Sequence, residues 1–180
     1  MGGERHDGSR EHAVLVPLIG SGDESRIVLI RRPERPEDHY SGHICFPGGA
    51  REASDASLLD CALREAREEL GIDPARVEVF AELDWRRSSI HHRVKPFAGR
   101  IRGPWAVDPS PDEVETVLYL PAARVGEGLF ETRAWRAEDG RELVTYRFDL
   151  DGFEVWGLTA RILRDFCLES PEFARAVGGR

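Results

Sequence analysis

The stretch from Gly48 to Ile72, GGAREASDASLLDCALREAREELGI, constrains this 180-residue chain more than any other. Leu59, Ala62, Leu63, Ala66 and Leu70 recur at i, i+3, i+4, i+7 and i+11, the apolar stripe of a helix packed on one side. Asp55 and Ser57 are both suitable N-caps, and Gly71 stands where a left-handed C-cap belongs. Glu65, Glu68 and Glu69 lie beside the stripe, within an arc of roughly 100° at about 100° per residue. Side chains at i, i+3 and i+4 of a helix can converge, so these carboxylates can grip a hard divalent cation through oxygen. A charged helix face is also commonly just solvated, and Arg64 and Arg67 would offset part of the repulsion. What favours a site is the preceding segment. A short apolar run, His43-Ile44-Cys45-Phe46, leads through Pro47 into Gly48-Gly49. Paired glycines permit a turn and a close approach of a ligand or metal to the backbone.

These residues together, FPGG-x15-REAREELG, resemble the box of the Nudix hydrolases, which cleave a nucleoside diphosphate linked to another group. The run from Arg64 to Ile72 matches every fixed position in the second half of that box. The first half departs: the sixth residue counted from Gly49 is Asp55 instead of Glu, and the loop is one residue longer. The longer loop, with acids at Glu52 and Asp55, is similar to the coenzyme A pyrophosphatase branch of the family. So are Ser41 to Phe46, the Leu29-Ile30-Arg31-Arg32 strand end, and the segment from Val155 to Leu163.

The resemblance implies an α+β fold, an α/β/α sandwich with a mixed β-sheet held between helices. It implies Mg2+ or Mn2+ as cofactor and a small-molecule nucleotide substrate, with coenzyme A favoured. Glu65, Glu68 and Glu69 become metal ligands, and the Gly49 carbonyl is added to them as in family members. Arg64 orients the carboxylates and pairs with the box's first acid, here most nearly Asp55. Glu65, Glu68 or Glu113 is the candidate base; Glu113-Val114 resembles a Glu-Val pair preceding a strand in this branch. Phe46, Gly48, Arg31 and Arg32 are assigned to the substrate, although both arginines also suit a plain solvated strand end. Two other functions stay open: hydrolysis of a different nucleotide, and a Nudix scaffold that senses a nucleotide without cutting it.

The rest of the chain reads as scaffold. Residues 1–12 are polar and Gly-rich, a flexible lead-in to one domain over 13–180. Strands are expected at 13–19 and 27–30 as a hairpin, then at 77–83, 93–101 and 114–120. Pro96 suggests that 93–101 is an edge strand or carries a bulge. Residues 129–136 and 141–150 form a pair turned by Asp139-Gly140, with Trp135, Tyr146 and Phe148 packing there or lining a pocket. Residues 121–125 suit one helical turn, Trp156 opens a final helix, and a short helix follows Pro171. His91 and His92 read as surface residues. The net charge of −8 argues against a nucleic-acid partner. No apolar run is long enough to span a membrane. Cys45, Cys61 and Cys167 show no metal spacing and suit structural thiols in a reducing cytoplasm, with Cys61 a small filler near the glutamates. A homodimer is expected if the protein assembles at all.

Overall fold

Side-chain alternation along the first two strands decides the layering. In a computed structural model, which describes residues 10–37, 40–88, 92–103, 106–136 and 142–178, β1 spans Glu11–Ile19 and β2 spans Arg26–Arg31. Ala13, Leu15, Ile19, Val28 and Ile30 face one layer; Val16, Leu18, Ile27 and Leu29 face the other. All nine are buried, which is why both strands read as continuous apolar runs instead of alternating ones.

The first layer is closed by α1, Leu58–Leu70, through Cys61, Ala62, Ala66 and Leu70. The second is closed by α2, Gly157–Glu169, through Ala160, Ile162, Leu163 and Phe166. Between them lies a mixed sheet: β3 (Ile44–Cys45), β2, β1, β7 (Arg93–Ile101) and β5 (Val77–Glu82), in that order. Short β4 (Gly48–Ala50) pairs with β1, β6 (Arg86–Arg87) with β7, and β8 (Thr116–Pro121) with β2. β1 and β7 run parallel and the other pairs antiparallel. A separate antiparallel sheet, β9 (Glu131–Arg136), β10 (Glu142–Leu150) and β11 (Phe153–Trp156), adds Phe148, Leu150 and Val155 to the α2 side of the core. The short α3, Pro171–Val177, follows α2. The expected sandwich, with a mixed sheet between helices, is therefore present, and the second sheet is an addition to it.

Helix α1 begins and ends where its sequence signals lie. Ser57 is the N-cap, its side chain accepting a hydrogen bond from Asp60 N, and Gly71 ends the helix at φ +66°. Asp55 is not the cap. The buried face is also rotated from the expected stripe: Leu59 and Leu63 sit at its rim, while Cys61 and Glu69 lie inside.

Four other expectations are corrected. Residues 11 and 12 are not lead-in but the start of β1, paired with Arg93 and Val94. The glycine pair is not a turn; it is the short strand β4, with Gly48 opposite Val14 and Gly49 opposite Ala13. β8 starts at Thr116, two residues later than the apolar pattern suggests. β7 is not an edge strand but lies between β1 and β5, and the nearby bulge is on β5, between Val79 and Ala81. Pro96 is tolerated there because its carbonyl accepts from Leu83 N just past the end of β5. Its donor-less nitrogen turns to the same side, where β5 has ended and β6 has not begun.

The single turn expected at 121–125 is a 3-10 turn at Ala122–Arg124, entered through Pro121. His92 is half-buried and stacks on His12 with ring centroids 4.3 Å apart. His91, the Asp139-Gly140 turn and the Trp135 side chain lie outside the described residues. Among the described residues no helix is long and apolar enough to cross a membrane.

Two substitutions test why this local structure forms. A Cβ at Gly48 would lie 2.4 Å from the Ala13 carbonyl oxygen. Gly48→Ala is therefore expected to cost about 1–3 kcal/mol, the range for overpacking. Ser57→Ala should cost about 1 kcal/mol through loss of the cap. Urea denaturation of both variants checks the order.

Candidate active site

Both glycines are required by what packs on them. Gly48 lies directly against β1, and its N–H donates to Glu69 Oε2 at 2.9 Å. A Cβ at Gly49 would lie 2.3 Å from Glu65 Oε1, so only a glycine leaves room for that carboxylate. One helical turn of α1 thus lays Glu65 and Glu69 on the glycine strand at the sheet's edge. Glu69 is only 3% exposed.

Arg64 holds the neighbouring acids together. Its Nε and Nη2 donate to the two oxygens of Asp55 at 2.9 and 3.0 Å, a bidentate pair. Its Nη1 donates to Glu65 Oε1 at 3.0 Å and to Glu68 Oε2 at 2.9 Å. The Asp55 side chain, 4% exposed, also accepts from Glu52 N at 2.8 Å. The long loop before α1 therefore still delivers an acid to Arg64. Hydrogen bonding to Arg64 pulls the Asp55 carboxyl down to about 2, against the cost of burial, and the Arg64 guanidinium is pushed up in turn.

The two packed glutamates are displaced the other way. Burial pushes Glu69 up to about 8; Glu65 and Glu113 add to this, while the Gly48 N–H and the charge of Arg32 oppose it. Burial also raises Glu65, against the pull of Arg64. Carboxylates crowded into low dielectric favour either a proton or a cation. The donor set, oxygen atoms from adjacent helical turns beside an exposed Glu113, fits a hard divalent cation that keeps several waters. Among the described residues no three His, Cys, Asp or Glu side chains are already gathered as a closed cage. Glu65 and Glu69 are the two packed side chains that could hold such an ion, with Glu68 held beside them by Arg64.

The other expected site residues are distributed as follows. Glu68 is 51% exposed and held by Arg64. The Gly49 carbonyl accepts from Cys61 Sγ at 3.7 Å. Cys61 is fully buried and its thiol is pushed up to about 12, chiefly by burial, so it is an inert filler. Phe46 belongs to the α2-side core. Arg31 is ion-paired with Glu34 and Glu115, and its guanidinium lies over the Phe153 ring at 5.7 Å. Arg32 is half-buried near Glu69, and its backbone N–H donates to His43 O at 3.0 Å. Because β8 starts only at Thr116, Glu113 and Glu115 diverge: Glu113 acts on the α1 glutamates and Glu115 pairs with Arg31.

One contributor has no expectation attached to it. Asp108 N donates to Leu70 O and Ser110 N to Glu69 O, both at 2.9 Å. These bonds satisfy carbonyls at the end of α1 and carry Glu113 to the site. Helix ends require such donors, but no periodicity tells which loop supplies them.

A sheet between helices carries, at one edge, a glycine strand pressed against the carboxylates of α1. The chain belongs to the Nudix hydrolase family, enzymes that cleave phosphoric anhydride bonds: the NUDIX domain model matches residues 9–147. An uncharacterized Nudix hydrolase, NudL, from Citrobacter koseri is 36% identical over 163 residues, covering 89% of this chain and 82% of the relative. Among solved structures, a MutT/nudix family protein from Enterococcus faecalis is similar over 98% of this chain and 70% of its own, with a TM-score of 0.56 at 15% identity. The NUDIX domain of Shewanella oneidensis NrtR complexed with ADP ribose is similar over 64% of this chain and 74% of its own, with a TM-score of 0.50 at 19% identity. These two likenesses concern the fold.

The Asp55–Arg64 pair makes a pH-dependent contribution to stability. Asp55 is depressed in the folded state, so its contribution is full above its unfolded value of about 3.9 and is lost as pH falls toward about 2. Asp55→Asn should destabilise the protein by about 1.5–3 kcal/mol at pH 7, the range for hydrogen bonds to charged groups. The gap between wild type and variant should narrow between pH 4 and 2. Denaturant melts across that range measure it.

Proposed function

We propose that this protein is a Mg2+- or Mn2+-dependent nucleotide pyrophosphohydrolase whose favoured substrate is coenzyme A or a derivative. The observation that carries the reading is the Arg64 clamp, which ties Asp55, Glu65 and Glu68 into one acidic edge while Glu69 is seated on Gly48 N. The coenzyme A assignment rests on the FPGG-x-x-E-x-x-D spacing, whose last acid, Asp55, is the partner of Arg64.

A divalent cation held by Glu65 and Glu69 would supply charge neutralisation on the diphosphate and activation of water. The protein's own groups do the rest. The Gly48 N–H and the Arg32 charge favour the ionised form of Glu69, and Arg64 keeps Glu65 from turning away. The bond between Gly48 and Glu69 holds the helix at a fixed height above the glycine strand, beside the place for the diphosphate. Water adds to one phosphorus, the bridging P–O bond breaks, and the departing phosphate keeps the electron pair. The water proton passes to a carboxylate, with Glu113 on its exposed loop the candidate acceptor. From coenzyme A the products are 3′,5′-ADP and 4′-phosphopantetheine. All three box glutamates, Glu65, Glu68 and Glu69, are present, which favours catalysis over nucleotide sensing alone.

Glu69→Gln should lose hydrolysis by about a hundredfold or more with its circular dichroism unchanged. Mn2+ should raise the melting temperature of the wild type and not of this variant. Near-normal turnover in Glu69→Gln would remove it from the site. A panel of coenzyme A, ADP-ribose, dinucleotides and nucleoside triphosphates, run with Mg2+ and with a chelator, should show coenzyme A cleaved fastest and only with metal. Faster cleavage of another nucleotide would replace the substrate and keep the reaction.

A further inference from the structure

Alternation along β11 makes one exposed side chain unusual. Phe153 and Val155 turn toward the interior, and Glu154 and Trp156 turn to solvent. A polar residue is the ordinary occupant of such a position. Trp156 is instead 45% exposed, the most exposed large apolar side chain among the described residues.

It is also held in place. Gly157, at φ +65°, turns the chain sharply from β11 into α2 directly after it. Two residues on, the Thr159 hydroxyl donates to Ile44 O at 3.0 Å, fastening the start of α2 to β3. This brings the Trp156 ring edge-to-face with His43, centroids 4.9 Å apart, and His43 meets Tyr40 in the same manner at 5.7 Å. The row of rings is tied to the active-site edge through Arg32 and through β3. His43 O accepts from Arg32 N, and Arg32 is the arginine whose charge acts on Glu69. The Gly48 that holds Glu69 is five positions past His43, at most about 17 Å of extended chain.

We propose that Trp156, backed by His43, is the stacking platform for the nucleobase of the substrate. This rests on the reading of the protein as a nucleotide pyrophosphohydrolase and adds where the base is bound. A nucleobase presents a flat π-face, and stacking on an exposed indole is a sequence-tolerant way to bind it. The diphosphate would then extend along β3 toward Gly48 and the α1 glutamates. Trp156 sets affinity for the base and stays away from the bond that breaks.

AMP and ribose 5-phosphate differ only by the base, and neither contains an anhydride to cleave. Calorimetric titration of the full chain with each in the presence of Mg2+ should show AMP bound at least about tenfold more tightly. Trp156→Ala and Trp156→Leu should erase that preference without weakening ribose 5-phosphate, and Trp156→Phe should keep most of it. In turnover, Trp156→Leu should raise KM for the hydrolysed nucleotide about tenfold with kcat retained. Equal discrimination by wild type and Trp156→Leu, or none in the wild type, overturns the platform and leaves the hydrolase reading intact. Loss of binding for both ligands alike in the Trp156 variants also overturns it, as the mark of a structural role. Discrimination that depends on Trp156 in a protein that hydrolyses no nucleotide upholds the platform and overturns the hydrolase reading.

Discussion

The contact between the face of α1 and the glycine strand holds the active edge of this protein together. Gly48 gives its N–H to Glu69, and Gly49 gives Glu65 the room a side chain would occupy. Gly49 lets the helix come this close because it carries no Cβ and the Glu65 carboxylate fills the space left, while Gly48, also without a Cβ, lets the strand lie against β1. A polar contact thus takes the place that apolar packing holds elsewhere along α1, at Cys61, Ala62, Ala66 and Leu70. Burying carboxylates is unfavourable without compensation, and the opposing pulls on Glu69 display that cost: burial raises it, while the Gly48 N–H and Arg32 lower it.

Arg64 solves the second part of the problem. Four hydrogen bonds spread one guanidinium over Asp55, Glu65 and Glu68. The loop before α1 is longer than the family's usual box and carries Asp in place of Glu, yet the carboxylate still reaches Arg64 in bidentate geometry. A longer loop with a shorter acid preserves the pair, because the bonding group is placed by backbone length and side-chain length together.

Opposite ends of α1 are anchored by different means. Ser57 caps its start from within the local sequence. Its end is met by Asp108 and Ser110, nearly forty residues on, whose N–H groups take the Leu70 and Glu69 carbonyls. The same loop carries Glu113 to the carboxylates. Arg31, at the end of β2, is held by Glu34 and Glu115.

The sequence by itself determined α1, its stop at Gly71, the acidic face, and most strands, because these depend on periodicity and on residues only a few positions apart, while of its two candidate caps the structure uses Ser57. It also placed the glycine pair beside the glutamates. What it left open was decided by neighbours distant in the chain. Gly48-Gly49 reads as a turn locally but becomes a strand because β1 offers a ladder edge. Pro96 reads as an edge residue but is interior because β5 and β6 leave a gap opposite its nitrogen. Phe46 reads as a substrate contact next to the glycines but is spent on the α2-side core. That Glu113 acts on the glutamates while Glu115 pairs with Arg31 follows from where β8 starts, which is set by pairing with β2. Tertiary structure decides such cases because hydrogen-bond partners and close packing are properties of two segments at once, and each segment's own residues record only half of the match.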